Sequence, residues 1–289
     1  MNNMLLMNRP QTYIPDLYQD SPAGMLPVVD KPMVEYTLER LAENGIKAMT
    51  IAVSNSTSGR VKTLGDGIRW GIHLDYINTD VPSELAHYIE QTMGVFRLID
   101  GDIAIDSLVG DMLTSTPENS EEESDHNPSL TYVHDANFAE EMIRFGAVRA
   151  TMPSQLYELL TRFHAQNLMV LNNPNNDLVI AGHPRDVERN IYVQQGGNAS
   201  FNSIFGKNVF VGGLCDLHRS CQIQDNVVIG AGAVIDADVS LDNTVVLPNT
   251  HVGEQLDLTN CLVSSKWVFN VVTQGLIKIS DAALISKTG

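Results

Sequence analysis

Few stretches of this chain combine residue types that suit metal or redox chemistry. Residues 121–123 are three consecutive glutamates, but they lie in the polar segment 114–129, which has no hydrophobic periodicity. A run of like charges in such a segment is typical of a solvated loop, so we interpret it as an insert and not as a metal site. The chain has 3 cysteines, which is an odd number, and we expect all of them to be reduced thiols with a structural role.

The composition excludes several classes of partner. Lys and Arg together number 18 against 35 Asp and Glu, which gives a formal net charge of -17. Nucleic acid and anionic membranes would repel such a chain, whereas a nucleotide needs only a local cationic pocket. No apolar run approaches the roughly 20 residues that a membrane helix needs, and residues 4–7 are too few for a signal-peptide core. We therefore expect a cytoplasmic protein with neither nucleic acid nor membrane as partner.

The elements that could position a site begin with the stretch 21–53. Three prolines punctuate its first part, and after Pro32 apolar residues recur at helical spacing as far as Asn44 and Gly45. Residues 46–53 then form a short β-prone run. A loop, a helix and a strand in this order are typical of an α/β domain.

Motifs in this part of the chain resemble those of a known enzyme family. Residues 26–54, LPVVDKPMVEYTLERLAENGIKAMTIAVS, are similar to the pattern LPV..KPLIEYVLERLAEAGI of the sugar-1-phosphate nucleotidyltransferases, the NDP-sugar pyrophosphorylases. Residues 64–71, LGDGIRWG, continue the resemblance as far as Tyr76. It covers most of residues 5–110, and it implies a reaction loop after the first strand, within residues 8–23.

That loop departs from the family pattern in the residues that would do chemistry. In the family, glycines let backbone amides approach the phosphates, and an Arg and a Lys neutralise charge during phosphoryl transfer. Here Asn8, Arg9 and Gln11 replace glycines, Tyr13 replaces the Arg, Ala23 replaces the Lys, and Thr12 is retained. Arg9 is the remaining catalytic candidate, and it would have to act from a shifted register. We interpret the segment as a surface loop that does not bind phosphate.

The other candidate site residues follow from later motifs of the same resemblance. Thr12, Pro82 and Gly101 fall where the family contacts its nucleotide. Asp102 matches the carboxylate that holds Mg²⁺ in the family. Arg149 occupies the position of the second metal carboxylate, so the resemblance implies Mg²⁺ only for an active enzyme.

In the last third of the chain a large apolar residue recurs every six positions, with a mostly small residue four positions later. The large residues are Val193, Ala199, Phe205, Val211, Leu217, Ile223, Ile229, Ile235, Leu241 and Leu247. This pattern resembles the hexapeptide left-handed β-helix, in which about 18 residues form one coil. The small inward positions include Cys215, Cys221 and His251, whereas His218 lies at a corner. We expect the register to slip after Leu247.

The sequence therefore predicts two domains of different fold class. Residues 1–171 are expected to form an α/β Rossmann-like domain of nucleotidyltransferase type, truncated in the sugar-binding part that follows Asp102. Residues 172–190 are the predicted linker and contain the run NNPNND. Residues 191–289 are expected to form an all-β left-handed β-helix with a C-terminal cap.

Three functions remain open, and with them the question whether the chain is an enzyme. The first is a catalytically degenerate nucleotidyltransferase homologue that acts as a binding, regulatory or scaffold subunit in sugar-nucleotide or polysaccharide biosynthesis. Its expected partners are a nucleotide or sugar nucleotide, and either a second copy of the chain or a paralogous active subunit. The second is an active enzyme that converts an NTP and a sugar-1-phosphate to NDP-sugar and pyrophosphate. The third is a hexapeptide acyltransferase with His218 or His251 as base.

Overall fold

The computed structural model of the protein describes residues 2–8, 21–92, 96–100, 130–133, 153–172, 184–196, 198–199 and 204–288. The chain divides into two compact units. Unit 1 consists of Met1–Leu26 with Pro32–Met152, and unit 2 of Pro27–Lys31 with Pro153–Gly289. The predicted insert at 114–129 and residues 173–183 of the predicted linker lie outside the described residues.

Unit 1 is built on a five-stranded sheet. The elements of this part of the chain are β1 Asn2–Leu6, β2 Pro27–Val28, β3 Lys31–Pro32, β4 Ala48–Val53, β5 His73–Asn78, β6 Phe96–Asp100 and β7 Leu130–Val133, helices α1 Met33–Glu43, α2 Ser58–Val61 and α3 Pro82–Gln91, and 3-10 turns Ala23–Met25, Lys62–Leu64 and Ile68–Trp70. The strand order is β5-β4-β1-β6-β7. The first four strands in this order are parallel, and β7 is antiparallel to β6. This confirms the predicted α/β domain with a parallel sheet, and α1 confirms the predicted helix.

Apolar side chains of the parallel strands pack on both faces of this sheet. Side chains alternate between the two faces along each strand. On one face Leu5, Ile51, Val53 and Ile99 pack with Val34, Leu38 and Leu41 of α1. On the other face Met4, Ala52, Ile77 and Leu98 pack with Leu85 and Ile89 of α3. The two hydrophobic clusters hold the parallel strands together, and the Thr50 hydroxyl of β4 adds a polar contact 2.8 Å from the Tyr88 hydroxyl of α3.

The glycine-rich turn that precedes β5 has a backbone that only glycine fits well. Gly67 has a φ of 80°, and a Cβ atom placed on it would overlap the carbonyl oxygen of Ile72 and the side chain of Leu74. The carbonyl of Asp66 accepts a hydrogen bond of 2.9 Å from the Leu74 amide, which ties the turn to β5. Gly67, which is part of the family resemblance, is therefore required by the backbone conformation of this turn.

An ion pair connects this turn to α1. The Arg69 guanidinium lies 3.0 Å from a carboxylate oxygen of Glu35 and 3.9 Å from the centroid of the Trp70 ring. Arg69 is half exposed, so we assign the ion pair only about 0.2–1 kcal/mol. It nevertheless joins two motifs that are separate in the sequence and that both carry the resemblance.

From residue 153 onwards, unit 2 contains the helix α4 Pro153–Leu171 and seventeen short strands among its described residues. The strands are β8 Pro184–Asp186, β9 Ile191–Val193, β10 Asn198–Ala199, β11 Ile204–Phe205, β12 Val209–Val211, β13 Asp216–Leu217, β14 Gln222–Ile223, β15 Val227–Ile229, β16 Val234–Ile235, β17 Ser240–Asp242, β18 Val245–Val246, β19 Thr250–Val252, β20 Asp257–Thr259, β21 Cys261–Val263, β22 Trp267–Asn270, β23 Gly275–Lys278 and β24 Ile285–Lys287. From β9 to β21, consecutive strands join three parallel sheets in rotation. We call residues 191–263 the coil region.

The interior of the coil region follows the six-residue pattern. Strand pairs such as Val209 with Val227 are 18 positions apart, so one coil contains three hexads. The buried interior contains Phe205, Val211, Leu217, Ile223, Ile229, Ile235 and Leu241. Cys215 and Cys221 occupy small inward positions as predicted, and burial raises the pKa of both thiols. The two thiols therefore fill the wall of the coil region and are poorly suited to redox chemistry.

The predicted register is wrong near the end of the coil region, because the slip comes earlier than Leu247. Ile223 pairs with Leu241, 18 positions apart, but Ile229 pairs with Val246, only 17 positions apart. One residue is therefore lost between Leu241 and Val246, and a shift by one residue turns every later side chain to the opposite face. Thr250, not His251, is the inward residue and is 1% exposed.

One corner of the coil region is a column of asparagines. Asn190, Asn208, Asn226, Asn243 and Asn260 all have φ between 45° and 57°, in the left-handed region that asparagine tolerates better than most residues. Their side-chain amides also bond to one another. The Asn208 Nδ2 atom donates to the Asn226 Oδ1 atom at 3.0 Å, and Asn190 donates to Asn208 at 3.1 Å. The column satisfies polar groups while the backbone turns from one sheet to the next.

Helix α4 belongs to unit 2, whereas the predicted domain boundary followed residue 171. The helix contacts β15 and β21 of one sheet. Phe210, Val228, Val245 and Leu262 are buried on that sheet although they alternate with the interior residues. The rings of Tyr157 and Phe269 stack with their centroids 5.8 Å apart. The apolar residues of α4 therefore pack within unit 2. In the part of the chain that the structure describes, no helix is long and apolar enough to cross a bilayer.

We expect the substitution Gly67→Ala to destabilise unit 1 by roughly 3 kcal/mol, because it adds left-handed strain to a steric overlap. The matched control is Gly71→Ala. Gly71 has a φ of 70° but no atom within 4 Å of an added Cβ, so only the strain, about 1 kcal/mol, applies. Urea unfolding of both variants measures the difference. Equal destabilisation of the two variants would contradict the steric account.

We expect the stability of unit 2 to fall as the pH falls below about 6.5 because of His164. Burial lowers the pKa of His164 from its ordinary value of 6.5, although its hydrogen bond with the Asn243 carbonyl acts in the opposite direction. The unfolded chain therefore binds a proton more readily than the folded chain. The stability is complete above pH 6.5 and is lost as the pH falls through the folded-state pKa.

Thermal unfolding between pH 7 and pH 5 measures this effect. In the variant His164→Gln the midpoint should depend less on pH, because glutamine does not titrate and can still donate to the Asn243 carbonyl. His87→Gln, which replaces an exposed histidine, is the control and should retain the wild-type pH dependence. An unchanged slope in His164→Gln would disprove the assignment.

Candidate functional site

The topology of unit 1 places a candidate site at the carboxyl ends of its parallel strands. Strand β1 pairs with β4 on one side and with β6 on the other. In open parallel sheets, ligands bind outside the carboxyl ends where the strand order changes direction. The described residues at this edge are Met7 and Asn8 after β1, residues 54–57 after β4 and residues 79–82 after β5.

Asn8 closes part of this edge with its side chain. It is 6% exposed, and its Nδ2 atom donates to the Thr79 hydroxyl at 3.2 Å. The Thr79 hydroxyl in turn donates to the Val53 carbonyl at 3.0 Å. The chain of hydrogen bonds connects the ends of β1, β4 and β5. The register implied by the resemblance places Asn8 on a glycine position, and in this structure a buried side chain occupies the space that a glycine would leave open.

The loops after β4 and β5 are bonded mainly to each other. The Asn55 amide donates to the Asp80 carboxylate at 2.6 Å, and the Asn78 side chain donates to the Asn55 side chain at 2.6 Å. The Asp80 amide donates to the Asn78 Oδ1 atom at 2.9 Å. Residues 54–57 and 78–82 contain one carboxylate and neither Lys nor Arg. This part of the edge therefore repels a phosphate more than it attracts one.

Of the site residues predicted from the nucleotidyltransferase motifs, Pro82 is the one that falls within the described part of the chain. It is the first residue of α3, where proline is well suited because it lacks the amide hydrogen. Glu84 follows in the first turn and complements the helix dipole, which leaves less positive potential for an anionic ligand. Arg9, Thr12, Gly101 and Asp102 lie outside the described residues.

The position of β6 in the sheet shows which strand precedes the predicted metal residue Asp102 in the sequence. Asp100, the last residue of β6, pairs with Leu6 of β1. Gly101 and Asp102 come directly after it in the chain. The predicted reaction loop and the predicted metal residue therefore follow adjacent parallel strands, as the resemblance implies.

The LPVVDKP motif contains a residue with a strained backbone, Val29, which belongs to unit 2 and is bonded to helix α4 of the same unit. Val29 has a φ of 57°, a conformation that costs a β-branched residue free energy. Its amide donates to the Oδ1 atom of Asn167 at 2.7 Å, and the Asn167 Nδ2 atom donates to the Phe163 carbonyl at 2.9 Å. Sequence reasoning missed Asn167, because nothing in the motif indicates a partner 138 residues away.

Two histidines of unit 2 were predicted as bases, and they lie in different surroundings. His218 is exposed at a corner, as predicted, and its Nδ1 atom lies 2.8 Å from the Ser220 hydroxyl. The prediction that His251 points inward is wrong, because the shortened coil turns it to the outer face. His251 lies 2.7 Å from a carboxylate oxygen of Asp236, a contact that the assumed register did not suggest.

Comparison with known proteins identifies the N-terminal region. Residues 16–155 match the family model described as Nucleotidyl transferase. This part of the chain is therefore similar to nucleotidyl transferase domains.

Three similar proteins are a glucose-1-phosphate thymidylyltransferase from Streptomyces griseus, the low-salt glycan biosynthesis nucleotidyltransferase Agl11 from Haloferax volcanii and a glucose-1-phosphate thymidylyltransferase from Mycobacterium tuberculosis. The first is 30% identical over 31% of this chain and 25% of its own length. The second is 30% identical over 30% of this chain and 25% of its own length. The third is 38% identical over 22% of each chain. The matched segment spans about a quarter of the length of these relatives.

Proposed function

We propose that this chain is a catalytically degenerate relative of the NDP-sugar pyrophosphorylases. In this account it acts in the cytoplasm as a binding, regulatory or scaffold subunit in sugar-nucleotide or polysaccharide biosynthesis. The match of residues 16–155 to the Nucleotidyl transferase family, and the similarity to a glucose-1-phosphate thymidylyltransferase and to a glycan biosynthesis nucleotidyltransferase, support this class of pathway.

The observation that carries this proposal is the buried side chain of Asn8. Catalysis of nucleotidyl transfer requires backbone amides close to the phosphates of the NTP. Asn8 begins the loop that would supply those amides, and it instead bonds across the sheet edge to Thr79. Displacing the Asn8 side chain to admit a triphosphate would break this hydrogen bond and leave a buried amide unpaired, which costs about 1–3 kcal/mol.

Two cationic side chains that the reaction uses in the resembled family are replaced as well. Tyr13 and Ala23 replace the Arg and Lys of the resembled family. Loss of one group that stabilises transition-state charge typically costs about 10²-fold or more in rate, and here at least two are replaced. If Mg²⁺ binds, Asp102 is the residue that would hold it, with Arg149 in place of the second carboxylate.

The second part of the proposal concerns unit 2. We assign the coil region to the hexapeptide left-handed β-helix. The rotation of strands among three sheets, the 18-residue coil and the positive φ angles at its corners support this assignment. Its role would be assembly, with a second copy of the chain or a paralogous active subunit as partner.

Thermal unfolding with a panel of NTPs and NDP-sugars tests whether the chain binds nucleotides and whether that binding uses the predicted Mg²⁺ site. If the chain has the binding role, a nucleotide or sugar nucleotide should raise the unfolding midpoint equally with and without Mg²⁺. A ligand at 100 times its Kd would add about 2.7 kcal/mol to the stability. The variant Asp102→Ala should behave like the wild type.

The opposite pattern would restore the active-enzyme alternative. Stabilisation by an NTP that requires Mg²⁺ and disappears in Asp102→Ala would show that the metal site works. If none of the ligands stabilises the protein, the binding role is wrong and only the scaffold role remains.

A further inference from the structure

A serine, a histidine and an aspartate lie within hydrogen-bond reach of one another on the outer face of unit 2. The Nε2 atom of His251 is 2.7 Å from the Oδ2 atom of Asp236, and its Nδ1 atom is 3.1 Å from the Ser286 hydroxyl. The side chains of His251 and Asp236 are 24% and 35% exposed, so a solute can reach them. None of the three belongs to the nucleotidyl transferase domain.

The hydrogen bonds define where the proton lies on a neutral His251 ring. A carboxylate accepts hydrogen bonds, so the Nε2 atom carries the hydrogen and donates it to Asp236. The Nδ1 atom then has a free lone pair and accepts the proton of the Ser286 hydroxyl. A nucleophile beside a base, with the base oriented by a third group, is the arrangement that activates serine.

Strand pairing holds Ser286 next to His251. The two residues are direct partners in the antiparallel pair of β19 and β24, so their side chains lie on the same face. Close packing of Gly253 against residues 283–284 helps to hold this register. A Cβ atom on Gly253 would overlap the Ala283 carbonyl, and the Gly253 amide donates to the Leu284 carbonyl at 2.7 Å.

The same pairing points a backbone amide away from His251 and towards the open side of β24. The Thr288 amide donates to the Asn249 carbonyl at 3.1 Å, and the Gly253 amide donates to the Leu284 carbonyl at 2.7 Å, which fixes the alternation along the pair. In an antiparallel pair, residues at alternate positions direct their N–H groups to the partner strand. Ser286 therefore faces β19, and the N–H group of Lys287 faces outward, because β24 is the last strand of its sheet.

We propose that Asp236, His251 and Ser286 form a catalytic site that hydrolyses small carboxylic esters. Val234 pairs with His251 on the neighbouring strand and offers an apolar surface for a short acyl group. The Lys287 amide is the candidate donor to the oxyanion. This site is independent of the proposed function of unit 1.

The reaction would follow two steps that use water as the only co-reactant. The Ser286 oxygen bonds to the ester carbonyl carbon while its proton moves to the Nδ1 atom of His251. The carbon–oxygen bond to the alcohol then breaks, and the alcohol takes that proton. Water attacks the acyl-serine and gives a proton to Nδ1. The Ser286 oxygen leaves with this proton, and a carboxylic acid is released.

A second serine–histidine pair in the same unit is a matched control. The Ser220 hydroxyl lies 2.8 Å from the Nδ1 atom of His218, and it also accepts a hydrogen bond from the Asp238 amide at 2.9 Å. In the described part of the chain, no carboxylate pairs with His218. If only proximity to histidine mattered, the two serines would react alike.

The test is labelling of the full chain with a fluorophosphonate probe, followed by mass spectrometry of the intact protein and its peptides. We expect one adduct, on Ser286, and none on Ser220. Ser286→Ala should abolish the label, and Ser220→Ala should retain it. His251→Gln should slow labelling by about 10²-fold or more, because the general base is lost. Hydrolysis of p-nitrophenyl acetate should follow the same order of variants.

Labelling of the wild-type protein by itself tests the proposal, so the test remains valid even if a variant fails to fold. Absence of label on Ser286, or equal labelling of Ser286 and Ser220, would overturn the proposal. Labelling of Ser286 that persists unchanged in a folded His251→Gln variant would do so as well. The hydrogen bonds would then serve only to fasten β24 to the coil region.

Discussion

Side chains on a β-strand alternate between its two faces, and this constraint decides which residues reach the surfaces where chemistry could occur. In unit 1 the parallel sheet is covered on both faces, so ligands have access only at the strand ends. In unit 2 the loss of one residue between Leu241 and Val246 turns every later side chain over. His251 consequently lies outside the coil region, beside Asp236 and Ser286.

The motifs that carry the family resemblance are mostly structural in this protein. Gly67 is required by the conformation of a turn, and Glu35 and Arg69 join that turn to α1. In the register that the resemblance implies, the positions that contact phosphate in the family are changed. Asn8, which falls on a glycine position in that register, bonds to Thr79 at an edge whose described loops contain a carboxylate and no cation.

The elements of both units could be predicted from local patterns. Helical spacing after Pro32 indicated α1, and the hexads indicated the interior of the coil region, because packing imposes these periods on neighbouring residues. Contacts between distant residues could not be predicted in the same way. Asn167 holds Val29 across 138 positions, and Ser286 meets His251 through an antiparallel strand that lies outside the repeat. The one-residue slip was also placed too late, because Leu247 is apolar and continues the apparent period by chance.

The central claim is that unit 1 retains the scaffold of a nucleotidyltransferase without its reaction. The most direct test is an assay of pyrophosphate release by the full chain, supplied with Mg²⁺, each common NTP and a panel of sugar-1-phosphates. We predict a rate that cannot be distinguished from that of the Asp102→Ala variant. Formation of an NDP-sugar by the wild type, with its loss in Asp102→Ala, would contradict the account.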